Sequence, residues 1–448
     1  MMDHHAERIV STKDKLRKQS LETVLNQFDA KLMNLSHKDQ KNKYQKMKKD
    51  PYSFFRGSAY LYFFDTTDLP LTFHTPEDKP TWIMGDMHFD NFSAFQNEQG
   101  EIVFDVDDFD EGYLGSYLYD VMRMVVSIRL MTSPLGFSKE KQDELVNHYL
   151  KSYIKQLQAF KDGDEDPVKL QFTVDNTKGP IKKVLKKLKK RQASHELEKQ
   201  TVVDQDSIRS FDIGKDKLTA VSKQEKEKLK HAWKDYIASV HPDNREPESF
   251  YRIKDVVKKK GSGIGSTGLQ RYYILIEGEK GKHHDDVILE AKEARTPIPA
   301  YFFPYDEQFW EDNKQQGRRV IHTQRAMHHK ADPYLGYFTL HGRDFYVRER
   351  SPFSKEIKEK HLDDFKAVKQ TVKIMGKISA KVHSRADADL EQGIMSYHSE
   401  KAILKAIGSN KKLFRHQISL WSDHYQDIVE HDYELFKQWL KENESFQS

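Results

Sequence analysis

An α+β fold, with helices toward both ends of the chain and a β-rich stretch between them, is predicted by three observations. Apolar residues recur at helical spacing within 21–49, 117–130, 145–157, 362–382 and 400–440. Between 253 and 350, runs rich in β-branched and aromatic residues are separated by glycine-bearing turns, the texture of hairpins. The third observation is composition. Charged residues make up 32%, yet 26 Phe, 21 Tyr and 5 Trp in 448 residues supply a large core and exclude disorder. The chain is about three times the commonest domain size. It divides into an N-terminal part at 1–135, a helical segment at 136–244, a β-rich lobe at 245–355 and C-terminal helices at 356–448.

The first helix carries Leu21, Val24, Leu25, Phe28 and Leu32 at helical spacing and is broken at Pro51. Residues 54–64 (FFRGSAYLYFF) form an aromatic, buried element that leads into a turn-rich loop. Short apolar strands follow at 81–84 and 101–106. Leu118, Val121, Met122, Val125 and Val126 then mark a well-buried helix, and 145–157 another. Residues 181–191 (IKKVLKKLKKR) hold seven Lys or Arg opposite Ile181, Val184, Leu185 and Leu188. This is a basic amphipathic helix. A solvated charged face is its plainer reading, and contact with nucleic acid or a membrane surface the alternative. Hairpins follow, the last with a His-Gly-Arg-Asp turn, and 307–329 between them is helical in pattern. Trp421, Tyr425, Tyr433, Phe436 and Trp439 weight the last helix.

Cysteine is absent, which excludes disulfides, thiolate metal sites and thiol nucleophiles. A net charge of +4 demands no polyanionic partner. The charged N-terminus lacks the apolar core of a signal peptide, and no run is long enough to span a bilayer, so the expected compartment is the cytoplasm.

Three constellations carry chemistry. Gly85-Asp86-Met87-His88-Phe89-Asp90-Asn91 follows a strand, and an Asp with an Asn five residues later can place a carboxylate beside a substrate hydroxyl and an amide oxygen on Mg2+. Turn formation is the alternative use of such residues. Asp105-Val106-Asp107-Asp108-Phe109-Asp110-Glu111 follows the second strand. So many acids repel one another unless a cation neutralises them, so Asp108 is expected to ligate metal and Asp110 to be a second ligand, with Asp105 or Asp107 at the surface. Gly263-Ile264-Gly265-Ser266-Thr267-Gly268 lies between strands, and Lys292 sits within another. A turn of this kind lets backbone N–H groups approach phosphates, and strands on both sides fit a phosphate-covering hairpin better than a dinucleotide fold.

Taken together, GDMHFDNF and IVFDVDDFDEGYLGSYLYDV resemble the catalytic loop, metal-binding pair and following helix of the aminoglycoside-phosphotransferase and choline-kinase branch of the protein-kinase-like superfamily. FFRGSAYLY, GDMHFDNF, VDDFDEG, LEAKEA, GRDFYVRER and KVHSRAD are similar, more closely, to the bacterial domain-of-unknown-function 2252 family, over most of residues 50–390. The resemblance implies a bilobal kinase-like fold in circularly permuted order, because the catalytic loop precedes the glycine-rich loop. It implies Asp86 as catalytic base, His88 as a phosphate neighbour, Asn91 and Asp108 as Mg2+ ligands, and Asp120 as a brace for the catalytic loop. Gly263, Gly265, Ser266 and Gly268 would cover the phosphates of ATP, Lys292 would pair with them, and the backbone near Arg348, Glu349 and Arg350 would be the hinge. His322 stands where a helix should offer Lys292 an acid, which leaves Glu307, Glu311 or Gln324 as substitutes.

The function expected is an ATP- and Mg2+-dependent phosphotransferase acting on a small hydroxylated acceptor. A nucleotide-binding module without turnover is the alternative. A metallophosphoesterase opening on Asp86-x-His88 lacks a Gly-Asn-His partner motif, and a nucleic-acid-binding protein would use 181–191. Arg56 is expected to meet a phosphate or an acid in the cleft. His283, His284, His328 and His329 lie in polar sequence and receive no function.

Overall fold

The computed structural model describes residues 4–191, 194–261, 263–279, 285–330, 332–362, 364–388, 395–443 and 446, and His283 and His284 lie outside them. It is a mixed α+β structure with helices at both ends and antiparallel sheets between.

The single N-terminal helix expected at 21–49 is broken. α1 (His4–Leu25) runs into a π-helical turn (Asn26–Leu32), and α2 (His37–Met47) restarts from Ser36, whose hydroxyl accepts from the Asp39 N–H. The widened turn carries Phe28 and Asp29 inward. There the Asp29 carboxylate meets the Lys43 ammonium at 2.6 Å and accepts from the Tyr60 hydroxyl at 2.9 Å. A buried ion pair of this kind persists only when its remaining valences are also filled. The aromatic run forms two short helices, α3 (Pro51–Gly57) and α4 (Ala59–Thr66).

β1 (Thr81–Ile83), β2 (Phe92–Gln96), β3 (Ile102–Val106) and β4 (Tyr113–Gly115) are short. β1 pairs with β4 and β2 with β3, both antiparallel, so the acidic residues 107–111 sit on the connection between two small sheets. α5 (Tyr117–Thr132) is buried at every position, Arg123 and Arg129 included, and α6 (Lys139–Lys161) follows. α7 (Gly179–Leu188) buries Ile181, Val184, Leu185 and Leu188 and turns its lysines outward.

α8 (His195–Gln200), β5 (Thr201–Val203), β6 (Arg209–Phe211), β7 (Ile213–Asp216), β8 (Leu218–Ala220) and α9 (Lys223–Ser239) lead to the principal sheet. β9 (Ile253–Lys259), β10 (Arg271–Ile276) and β11 (Val287–Ala294) are followed by α10 (Glu307–Asp312), α11 (Gln316–Met327), β12 (Gly336–Leu340) and β13 (Arg343–Glu349). The sheet order is β12-β13-β11-β10-β9-β8. It therefore reaches back before residue 245 to recruit β8, and α9 packs Trp233 and Tyr236 on one face with Leu289, Ala291, Phe345 and Val347. Because strand side chains alternate, Glu290, Lys292, Tyr346 and Arg348 share the opposite face.

β14 (Ser354–Glu356) joins the edge of β2. α12 (Phe365–Arg385), α13 (Ser399–Ile407) and α14 (Lys411–Glu442) complete the helical part. α12 lies close against α6 at Gly376, where a Cβ would sit 2.4 Å from the Tyr149 carbonyl oxygen. Among the described residues, no helix is long and apolar enough to cross a membrane.

Candidate active site

Asp86 owes its position to backbone geometry. Gly85 has φ +72°, and a Cβ there would lie 2.2 Å from the Glu111 carbonyl oxygen, so only glycine lets the chain turn here. Asp120, on the first turn of α5, holds that turn by accepting from the N–H groups of Met84 at 2.6 Å and Gly85 at 3.0 Å. Its carboxylate also meets His383 Nε2 at 3.2 Å, and His383 Nδ1 meets the Tyr153 hydroxyl at 2.9 Å. The buried end of α12 thereby anchors the same turn.

The Asp86 carboxylate accepts from Arg123 Nε at 2.6 Å. Burial nevertheless pushes its pKa up to about 6, since the loss of water outweighs the guanidinium. Asn91 Nδ2 donates to the Asp86 carbonyl at 2.7 Å, which leaves the amide oxygen for another partner. His88 is buried, lies 3.7 Å from Asp86 through Nε2, and has no partner at Nδ1 among the described residues. Burial drives its pKa well down, so the ring is neutral.

In the acidic stretch, expectation and structure part at Asp105. It is not at the surface: β3 packs against α12, and the Asp105 carboxylate pairs with the fully buried Lys381 ammonium. Asp107 is half-buried and accepts from the Ser93 hydroxyl, so neither acid is a plain surface position. Burial and the nearby Asp110 charge raise the Asp108 pKa. Burial acts on Asp110 too, but Lys292 overrides it and holds Asp110 low. The Asp110 Oδ2 is committed to the Lys292 ammonium, while Oδ1 is buried without a partner among the described residues. Burial lifts Glu111 to about 7 although it accepts the Ile298 N–H.

The acid facing Lys292 is therefore Asp110, from the acidic stretch itself. Glu307 and Glu311 are exposed on α10, and His322 Nδ1 meets the Asn313 side chain at 3.0 Å. α11 reaches the site through Arg319 instead. Its buried guanidinium donates to the carbonyls of Asp110 and Gly112 at 2.7 Å each and of Arg295 at 2.9 Å.

The glycine-bearing turn joins β9 to β10. Open space surrounds the Cβ positions of Gly263 and Gly265. Gly268, at φ +78°, is tied to the N-terminal part, because a Cβ there would lie 2.4 Å from Leu35 Cδ2. Asp86, His88, Asn91, Asp108, Asp110 and Glu111 line one cavity of about 120 Å3 together with Gly263, Gly265 and Ser266. Phe28, Leu32 and Met33 wall one side of it. Arg56 reaches the same cavity and pairs with Asp90 at 2.6 Å.

Arg348 and Glu349 line a neighbouring cavity of about 320 Å3, with Asp107, Glu290 and His328. Arg348 donates to Glu290 at 3.0 Å, and Glu349 accepts a proton more readily than usual, at about 8, through burial and the Asp332 charge. His328 lies in apolar surroundings, stacked on Phe95 and edge-on to Phe109, with Nε2 against the Val106 carbonyl.

Sequence reasoning passed over Arg123, Arg319 and the Asp105–Lys381 pair. A usable signal existed for Arg123, one of three charged residues, with Asp120 and Arg129, in a helix otherwise rich in apolar residues. None existed for Lys381, whose partner is remote in sequence.

The chain belongs to the family described as an uncharacterized protein conserved in bacteria (DUF2252), whose model matches residues 37–439. No curated protein and no solved structure matches it.

Proposed function

We propose that the chain is an ATP- and Mg2+-dependent phosphotransferase with a kinase-like bilobal architecture in permuted order, acting on a small hydroxylated acceptor. One observation carries the reading: Asp86, Asn91, Asp108 and Asp110 share a cavity with the glycine-bearing turn, and Asp110 pairs with the buried ammonium of Lys292, which is not itself among the lining residues. The element order supports it. The Asp86 turn, Asn91, the β2–β3 hairpin and Asp108 succeed one another as in a kinase catalytic loop and metal loop. The glycine turn, the strand lysine, α11 and two further strands succeed one another as in a nucleotide lobe.

The donor set fits a hard dication. The Asn91 amide oxygen and the Asp108 carboxylate are oxygen ligands, Asp108 is short of compensating charge, and Asp110 keeps a buried, unpartnered oxygen. Mg2+ held there would neutralise charge on the transferring phosphoryl group. The chain's own groups do the rest. Asp86, fixed by Arg123, receives the acceptor hydroxyl proton as the acceptor oxygen bonds to the terminal phosphorus and the bond to the departing diphosphate breaks. N–H groups at Gly263 to Ser266 would face the phosphates, and the Lys292 ammonium would act on them through, or on release from, its pair with Asp110.

The direct Lys292–Asp110 pair favours one other reading, a nucleotide-binding module without turnover. Thermal unfolding with ATP, with and without Mg2+, tests both. A ligand at a hundredfold its Kd stabilises the folded state by about 2.7 kcal/mol. A Mg2+-dependent rise that Asp108→Ala abolishes is the expected result, and no rise at millimolar ATP would sink both readings. A rise without phosphate transfer to any of a panel of polyols and sugars would select the module.

A further inference from the structure

A third, larger cavity is lined by Phe302 and Phe303, which directly follow Tyr301 in the lining of the first. It measures about 810 Å3, within the range of small-molecule sites. Its walls are aromatic. Tyr119 and Phe303 approach at 4.7 Å between ring centroids, His74 lies 5.0 Å from Tyr119, and Tyr113, Phe302 and Tyr305 complete the lining. Phe303 can lie against β4 only because position 115 is glycine, where a Cβ would stand 2.6 Å from its ring. Tyr305 is 76% exposed, the most exposed large apolar or aromatic side chain among the described residues.

The charges around these rings have one sign. Asp68, Glu77, Asp306 and Glu307 line the cavity, and no Lys or Arg among the described residues does. His74 does not supply the missing cation, because burial lowers its pKa. The Asp68 charge reaches the ring system itself, adding to burial in raising Tyr119 to about 12. Thr75, 7% exposed, contributes to the same wall a hydroxyl with no hydrogen-bond partner among the described residues. The faces of aromatic rings attract cations, and carboxylates at the rim strengthen the attraction.

We propose that this cavity is a binding site for a small organic ammonium ion, its alkyl groups against Tyr119, Phe303 and Tyr305 and its charge balanced by Asp68 and Glu307. The assignment is independent of the phosphotransferase reading, since it uses none of the groups in that cleft. A neutral ligand of the same shape would forgo both the ring quadrupoles and the carboxylates. An anionic ligand would meet four like charges.

Isothermal titration of the full chain with tetramethylammonium chloride, beside uncharged tert-butyl alcohol and in constant total chloride, tests it. Saturable binding of the ammonium and none of the alcohol is expected. Asp68→Asn and Tyr305→Ala, both at exposed positions, should each weaken binding roughly 2- to 30-fold. Glu227→Gln, on the remote surface of α9, should leave it unchanged. Equal binding of the alcohol, no saturation at tens of millimolar, or indifference to both cavity substitutions would each overturn the assignment. Circular dichroism spectra matching the parent exclude misfolding as the cause of a loss.

Discussion

Asp105 and Asp108 stand three residues apart on the same stretch and meet opposite treatment. Asp105 is buried against a dedicated ammonium from α12, and Asp120 nearby is filled by two backbone N–H groups and His383. In the cleft, Asp86, Asp108 and Glu111 are half-buried with too little positive charge around them, and loss of water lifts the pKa of each. The first group is finished by the chain itself. The second is not, and half-buried carboxylates short of water favour the protonated form unless a cation joins them.

The comparison breaks most easily at its satisfied end. Lys381→Met strands the Asp105 carboxylate in the core and should cost about 3–5 kcal/mol, read as the unfolding free energy in urea. A cost below about 1 kcal/mol would mean that Asp105 finds water. Asp120→Ala leaves the Met84 and Gly85 N–H groups without acceptors and should cost about 2–4 kcal/mol while displacing Asp86. Hydrogen exchange at those two amides would report it, and unchanged protection would refute the bracing role.

At the unfinished end the sign should reverse. Asp108→Asn removes a carboxylate whose pKa is raised, so the metal-free protein should hold its melting temperature or gain up to about 3 °C at pH 7, and on the proposed function it should also lose any Mg2+-dependent rise. The smallest effect is a slope. The Asp86 carboxyl has an ordinary value of 3.8 and a folded value of about 6, so the folded chain binds more protons between them. Stability from this group is therefore present below pH 4 and declines as pH rises to 6. Asp86→Asn should flatten that decline in urea midpoints of the metal-free protein, and an unchanged slope would place the titration elsewhere.

Much of this arrangement is legible in the sequence, because it depends on local pattern. The strands before Asp86 and Asp107, the buried helix after Tyr117 and the hairpin around Gly263 to Gly268 follow from alternation, helical spacing and glycine placement. What escaped depends on distance along the chain. Asp105 reads as one more surface acid until α12 brings Lys381 beneath it, and Lys292 finds its acid in Asp110 rather than on the helix beside it. The break at Asn26–Leu32 was equally hidden. Phe28 and Leu32 fit an ordinary helix, and only the buried Asp29, Lys43 and Tyr60 reveal why the turn widens.

That widened turn bears on how the protein should be handled and compared. The family match begins at residue 37, yet Phe28, Leu32 and Met33 wall the cleft and Leu35 fits over Gly268. A fragment trimmed to the shared region would keep every acid and lysine of the site and lose one of its walls. Relatives that align perfectly from residue 37 onward can still differ in what their clefts admit, so selectivity here is written partly in residues that an alignment of the family would discard.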